Sequence, residues 1–157
     1  MESVQLRLAV YQPDIPQNLG AMIRLCSCLG LEINIIGPCG FPFSKNALKR
    51  TAMDYFEIAK IRDHTNYNAF CNYVTNLGRV VLLTSKASES IWDFQFKPTD
   101  ILMVGSESFG VPNSVSQKIN HKVKIPLVSS ARCLNVANAA SIGVAEAVRQ
   151  GLLKQKI

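Results

Sequence analysis

Asp100-Ile101-Leu102-Met103-Val104-Gly105-Ser106-Glu107-Ser108-Phe109-Gly110 is the stretch on which the fold of this chain turns. Its four consecutive apolar residues leave no polar face, as in a strand covered on both sides within a parallel sheet. A polar loop bounded by glycines follows at the carboxyl end of that strand, where open α/β sheets bind their ligands. Glycine lets a backbone approach a ligand closely, and it also serves a tight turn that needs positive φ, so the G-x-E-x-x-G spacing by itself fits either role. It is not a dinucleotide fingerprint, because the spacing differs and no helix-opening G-x-G-x-x-G occurs elsewhere.

Towards the C-terminus, Lys122–Val128 reads as the last strand, carrying Ile125-Pro126-Leu127 near its end. Arg132-Cys133-Leu134-Asn135-Val136-Ala137-Asn138-Ala139-Ala140-Ser141 then opens a long apolar helix, predicted over Asn135–Leu153. Towards the N-terminus, Leu6–Tyr11 predicts a first strand, ended by the turn formers Pro13, Asp14 and Pro16. Leu19, Met22, Ile23, Cys26 and Leu29 fall at helical spacing, with Gly30 where a C-terminal cap is expected. Leu31–Gly37 reads as a second buried strand, and Ser44 as the cap of a short helix through Met53. Between these ends the pattern predicts a strand over Glu57–Arg62, a helix over Tyr67–Leu77 ended by Gly78, a strand over Arg79–Thr84, and a short helix over Pro112–Ile119. Strands alternating with helices predict an α/β fold with a mostly parallel sheet and helices on both faces.

The 157 residues, 48% of them hydrophobic, suffice for one domain with its own core, expected over 1–157. No run of about 18 uncharged apolar residues occurs, and Met1–Arg7 has neither the basic nor the apolar region of a secretory signal, so a cytoplasmic protein without a membrane span is expected. Cys26, Cys28, Cys39, Cys71 and Cys133 form no C-x-x-C pair, which argues against a disulfide framework and against a metal site. A net charge of +6 suits a nucleic acid as partner, although Lys and Arg scattered along the chain also serve solubility.

Strand, Gly105-x-Glu107-x-x-Gly110, strand, polar loop and small-residue helix, in that order, resemble the knotted RNA methyltransferases of the SPOUT superfamily. Pro16-Gln17-Asn18-Leu19-Gly20 and Arg24-Leu25-Cys26 make the chain look like the short tRNA wobble-position 2'-O-methyltransferases, nearly end to end. The resemblance implies a C-terminal trefoil knot within about 80–153 that holds S-adenosyl-L-methionine, lined by Leu83, Gly105, Ile125, Cys133 and Leu134. It implies Arg24, Glu107 and Asn135 as catalytic residues, and Asn18 and Arg132 as contacts to RNA. It also implies a homodimer acting on the tRNA anticodon loop, at the cytidine or uridine of position 34.

Simpler roles stand beside these. Leu83 and Ile125 suit ordinary core positions at strand ends, Arg24 and Arg132 suit a solvated surface, and Asn135 and Asn138 suit helix caps. His64 and His121 read as surface or loop residues. Guanidinium stays protonated, so Arg24 suits gripping a phosphate and stabilising a developing alkoxide better than acting as a base. One departure from the family pattern is Cys133 where many relatives carry Ser, with Ala137 at another commonly polar position; a thiol is the weaker hydrogen-bonding group. That departure keeps two alternatives open: a catalytically weak or inactive RNA-binding relative, and a 2'-O-methyltransferase for another tRNA or rRNA position.

Overall fold

The computed structural model describes residues 5–152. Strands β1 (Arg7–Tyr11), β2 (Glu32–Ile36), β3 (Lys60–His64), β4 (Val80–Leu83), β5 (Ile101–Val104) and β6 (His121–Val123) form one sheet in the order β3-β2-β1-β5-β4-β6. Every pairing in it is parallel. Helices α1 (Pro16–Leu29), α2 (Lys45–Ala52), α3 (Tyr67–Val74), α4 (Asn113–Ser116) and α5 (Val136–Ala147) each follow a strand, while β4 is joined to β5 by the 84–99 loop. This is the doubly covered α/β architecture that the apolar runs predict.

Alternation along the strands divides the core. Leu8, Val10, Ile33, Ile35, Leu102 and Val104 face α1, α2 and α5, while Ala9, Tyr11, Ile36, Ile101 and Met103 face α3 and α4. Helix α1 contributes Leu19, Met22 and Ile23, each 0% exposed. Burying side chains of this size stabilises by about 1.5–3 kcal/mol each. Pro16 begins the helix, and Gly30 ends it in the left-handed conformation at φ 69°, as the sequence predicts. Small residues let helix and sheet close up. A Cβ on Gly20 would lie 2.8 Å from Thr51 Cβ of α2, and one on Gly143 of α5 would lie 2.7 Å from Leu102 Cδ2.

Several boundaries move. The strand expected at Glu57–Arg62 is instead a 3₁₀ turn over Met53–Ile58 followed by β3, which lies at the sheet edge and buries little. A half-exposed edge strand lacks the continuous apolar run that marks its central neighbours. The helix expected through Leu77 ends at Val74, and the predicted Pro112–Ile119 helix shrinks to four residues. The strand expected over Lys122–Val128 leaves the sheet after Val123. There the 84–99 loop captures the chain: Lys124 N–H donates to Glu89 O at 2.9 Å, and Ile91 N–H donates to Lys124 O at 2.8 Å. The final helix keeps α geometry through Ala147, then widens into a π turn over Val148–Leu152 with Gly151 at φ 85°; Leu153 lies outside the described residues. From that turn the Gln150 amide reaches back to the 84–99 loop, donating to Phe94 O at 2.9 Å and accepting from Phe96 N–H at 3.0 Å. His64, expected on the surface or in a loop, is half-buried at the end of β3, with Nε2 2.8 Å from Asn34 Oδ1.

Strand order also places the functional end. Strands β1 and β5 are neighbours, yet β1 leads into α1 on one face and β5 leads towards α4 on the other. Loops that diverge from adjacent carboxyl ends leave a crevice between them.

Candidate active site

Two loops meet in that crevice, one after β1 and one after β5, and they clasp each other through Asp14 and Glu107. Asp14 N–H donates to Glu107 Oε2 at 2.9 Å, and Glu107 N–H donates back to Asp14 Oδ1 at 3.2 Å. The Ser108 hydroxyl adds a bond to Asp14 Oδ2. From Glu107 the network continues: Asn18 Nδ2 donates to Glu107 Oε1 at 3.3 Å, and Asn135 Nδ2 donates to Asn18 Oδ1 at 3.0 Å. Asn135 simultaneously caps α5 through Oδ1, accepting from Ala137 N–H at 2.9 Å and Asn138 N–H at 3.1 Å. Cap and network member are therefore the same side chain, and the helix-cap reading of Asn135 holds. Asp14–Glu107–Asn18–Asn135 thus ties three segments distant in sequence into one surface.

Glycine geometry makes the β5 loop possible. The backbone turns on itself from Ser106 to Gly110, with N–H to O distances of 3.0 and 2.9 Å in the two directions, and Gly110 takes φ 66°. A Cβ on Gly105 would lie 2.7 Å from both Gly110 C and Gly110 Cα, so only glycine fits this approach without a shift. Below the other loop, a Cβ on Gly40 would lie 2.5 Å from Asp14 Cβ, so Asp14 is backed by the 38–43 loop as well.

The two carboxyls titrate apart. Contact with the Glu107 side chain, then with Ser108, holds Asp14 down at about 2. Burial, then the same contact with Asp14, pushes Glu107 up from its ordinary value. Glu107 is therefore the first of the two to accept a proton as pH falls.

Beside this network lies a cleft of about 640 Å³ at the carboxyl ends of β4 and β5, within the range of small-ligand sites. Its lining brings together Leu83, Gly105, Glu107, Ile125, Cys133 and Leu134, and Asn18 and Asn135 stand at it too. Leu83 and Ile125 are half-buried rather than sealed in the core, so they offer apolar surface to the cleft. The Ser106 hydroxyl, buried and without a hydrogen-bond partner among the described residues, lines the same space. An apolar wall, a close-approach glycine, an unpaired hydroxyl and a nearby carboxylate fit a ligand with a flat heterocycle and a cationic centre. S-adenosyl-L-methionine has both.

Two expected residues stand elsewhere. Arg24 is exposed on α1, outside the cleft of its own chain, with its guanidinium 4.5 Å from the Tyr55 ring centre and Nη2 3.4 Å from Tyr55 Oη. Six residues of helix separate it from Asn18, a displacement of about 9 Å along the axis and onto another face. Arg132 is exposed next to Cys133 but does not line the cleft. Conversely, Asp14, Ser106 and Ser108 belong to the site and escape sequence reasoning. Asp14 sits among prolines and reads as a turn former, and its partner lies 93 residues away.

Residues 5–145 match the model of the SpoU rRNA methylase family. The tRNA (cytidine(34)-2'-O)-methyltransferase of Beijerinckia indica is 49% identical over 144 residues, covering 91% of this chain and 90% of its own. A solved structure concerned with the 2-OH methylation of C/U34 on tRNA superposes with a TM-score of 0.88 at 34% identity, covering 95% of this chain and 97% of the other. An AdoMet-bound rRNA methyltransferase from Sinorhizobium meliloti superposes with a TM-score of 0.84 at 26% identity, over 98% of this chain and 59% of that one.

Proposed function

Given that this chain belongs to the SpoU rRNA methylase family, we propose that it is an S-adenosyl-L-methionine-dependent 2'-O-methyltransferase acting on the wobble nucleotide, cytidine or uridine 34, of tRNA. The observation that carries this reading is the cleft at the ends of β4 and β5, bordered by the Asn18–Glu107–Asn135 network. The 49% identity to an enzyme named for cytidine 34 directs it to tRNA rather than to rRNA.

In this reading the whole chain is one domain, and the segment after β6, caught under the 84–99 loop, forms the trefoil knot that the family implies. The cofactor supplies an electrophilic methyl group on a sulfonium. Leu83, Ile125 and Leu134 would hold its heterocycle against apolar surface, Gly105 and Cys133 would admit close backbone contact, and the Glu107 carboxyl would favour its positive charge. Asn18 and Asn135 would orient the ribose and its 2'-hydroxyl, and such positioning lowers a barrier without covalent catalysis.

Arg24 grips the adjacent phosphate and stabilises the alkoxide that develops as the 2'-hydroxyl proton passes to solvent water; its guanidinium stays protonated throughout. Because Arg24 is exposed and lies outside the cleft of its own chain, it serves a second copy: the enzyme is a homodimer in which α1 approaches the partner's cleft. Arg132, exposed next to Cys133, contacts RNA phosphate. Cys133 acts through its backbone and small volume, which is why a thiol can stand where relatives carry a hydroxyl. A cytoplasmic location follows from the substrate.

The test is methyl transfer from labelled S-adenosyl-L-methionine to tRNA transcripts, with the product mapped by resistance of the position-34 linkage to alkaline cleavage. Label at position 34 that is lost when C34 or U34 carries a 2'-deoxyribose is expected. Label on the base, at another position, or on rRNA alone would overturn the assignment.

A further inference from the structure

We propose that Phe109 is a stacking platform for a nucleobase of the RNA strand, no more than one nucleotide from the ribose that is methylated; the inference rests on the function proposed above. Phe109 is 58% exposed and Ile15 is 41% exposed, and both line the cleft. Their proximity follows from the clasp described above, because Asp14 bonds Glu107 and Ser108, and the next residue on each side is Ile15 and Phe109. Trp92 and Phe43, two other exposed aromatics, do not line the cleft.

Exposure of a large aromatic ring at the mouth of a polar site leaves apolar area in water that a flat partner can cover. The ring stands on a backbone that cannot swing away, since Ser106 and Gly110 exchange both of their hydrogen bonds across the turn. Such rigidity keeps the entropic cost of stacking low. Phe109 has no polar atom, so it reads no base edge; every base offers it a face. Its loop also fixes its distance from the chemistry. Phe109 lies two residues from Glu107, at most about 7 Å between Cα atoms. That is the reach between a sugar and its own base or the next one. Lys86, also at the cleft, supplies positive charge for the phosphates of a strand lying across it.

The test uses the full-length protein and an anticodon stem-loop. Phe109→Ala is expected to weaken RNA binding by about 5-fold to 150-fold, the range of base–aromatic stacking, with S-adenosyl-L-methionine affinity and sedimentation unchanged. Phe109→Trp, in a Trp92→Phe background, is expected to retain RNA affinity and to lose fluorescence when the stem-loop binds. Stem-loops with a single abasic nucleotide complete a double-mutant cycle. One of the three positions centred on nucleotide 34 should weaken wild-type binding by the same factor and cost Phe109→Ala nothing further.

Unchanged RNA binding by Phe109→Ala, or equal further losses on every abasic stem-loop, would overturn the platform. So would altered sedimentation, which would make Phe109 a contact between copies. If the wild-type protein transfers methyl to no RNA, the function proposed above fails. Quenching of the Phe109→Trp variant by RNA still decides the platform.

Discussion

Gly105→Ala is the sharpest test of how the β5 loop holds the site. The added Cβ would lie 2.7 Å from two backbone atoms of Gly110, against the 3.4 Å at which ordinary contact begins, so something must move by about 0.7 Å. The neighbouring backbone is poorly placed to yield, because two hydrogen bonds close the turn from Ser106 to Gly110. The shift therefore passes into the loop and reaches Glu107, whose bond to Asn18 is already 3.3 Å long. Overpacking of this kind costs about 1–3 kcal/mol, and in a chain of this length each kcal/mol lowers the melting temperature by about 2–4 °C. A fall of about 2–12 °C is thus expected in a thermal melt. Displacement near 1 Å at a reacting centre can cost about 100-fold in rate, so single-turnover methyl transfer should fall by at least about 10-fold on the smaller displacement here. A variant that melts and turns over like wild type would refute the claim that this turn sets the position of Glu107.

Arg24→Ala should lower turnover by about 100-fold to 1,000-fold, as loss of one oxyanion-stabilising group does, while calorimetry finds cofactor affinity unchanged because Arg24 lies outside the cleft of its own chain. Cys133→Ser should keep full activity in the same assay, and a variant much faster than wild type would mean that the thiol impairs the site. Asp100 is fully buried and takes two bonds from Arg79 at 2.8 and 2.7 Å, so Asp100→Ala should destabilise by about 3 kcal/mol in urea unfolding, the lower end of a broken buried pair because Arg79 can still reach water. The Asp14 carboxyl is lowered from 3.8 to about 2 by Glu107 and Ser108, and that of Glu146 from 4.5 to about 2, chiefly by Arg149. Both carboxyls lie below their unfolded values, so the stability they confer is complete above about pH 4.5 and is lost as pH falls towards 2. Melting temperatures across that window should flatten for Asp14→Asn and for Glu146→Gln, and a slope identical to wild type in either variant would remove that carboxyl from the account.

Much was legible in the sequence because it is written in local periodicity. Runs such as Ile33–Ile36 and Ile101–Val104 determine central strands: a segment apolar on both faces has nowhere stable to go except between two layers. Leu19, Met22, Ile23 and Cys26 determine the buried stripe of α1, and Gly30 its end, for the same local reasons. Loop glycines and the cap at Asn135 marked a turn and a helix start through spacing that needs only a few neighbouring residues, and the resemblance to a known family made them candidates for a site.

What tertiary structure decided is whatever depends on segments distant in sequence. Lys122–Val128 has the composition of a longer strand, and only the capture of Lys124 by Glu89 and Ile91 takes it out of the sheet after Val123. β3 carries polar residues because it lies at an edge, a fact that strand order alone supplies. Asp14 looks like a turn residue until the switch point between β1 and β5 sets it against Glu107. Arg24 shares a short motif with Asn18, yet six residues of helix turn it onto a different surface. Periodicity records which face of an element is buried; it carries no record of which distant backbone N–H or carboxylate will meet there, and it is those meetings that build this site.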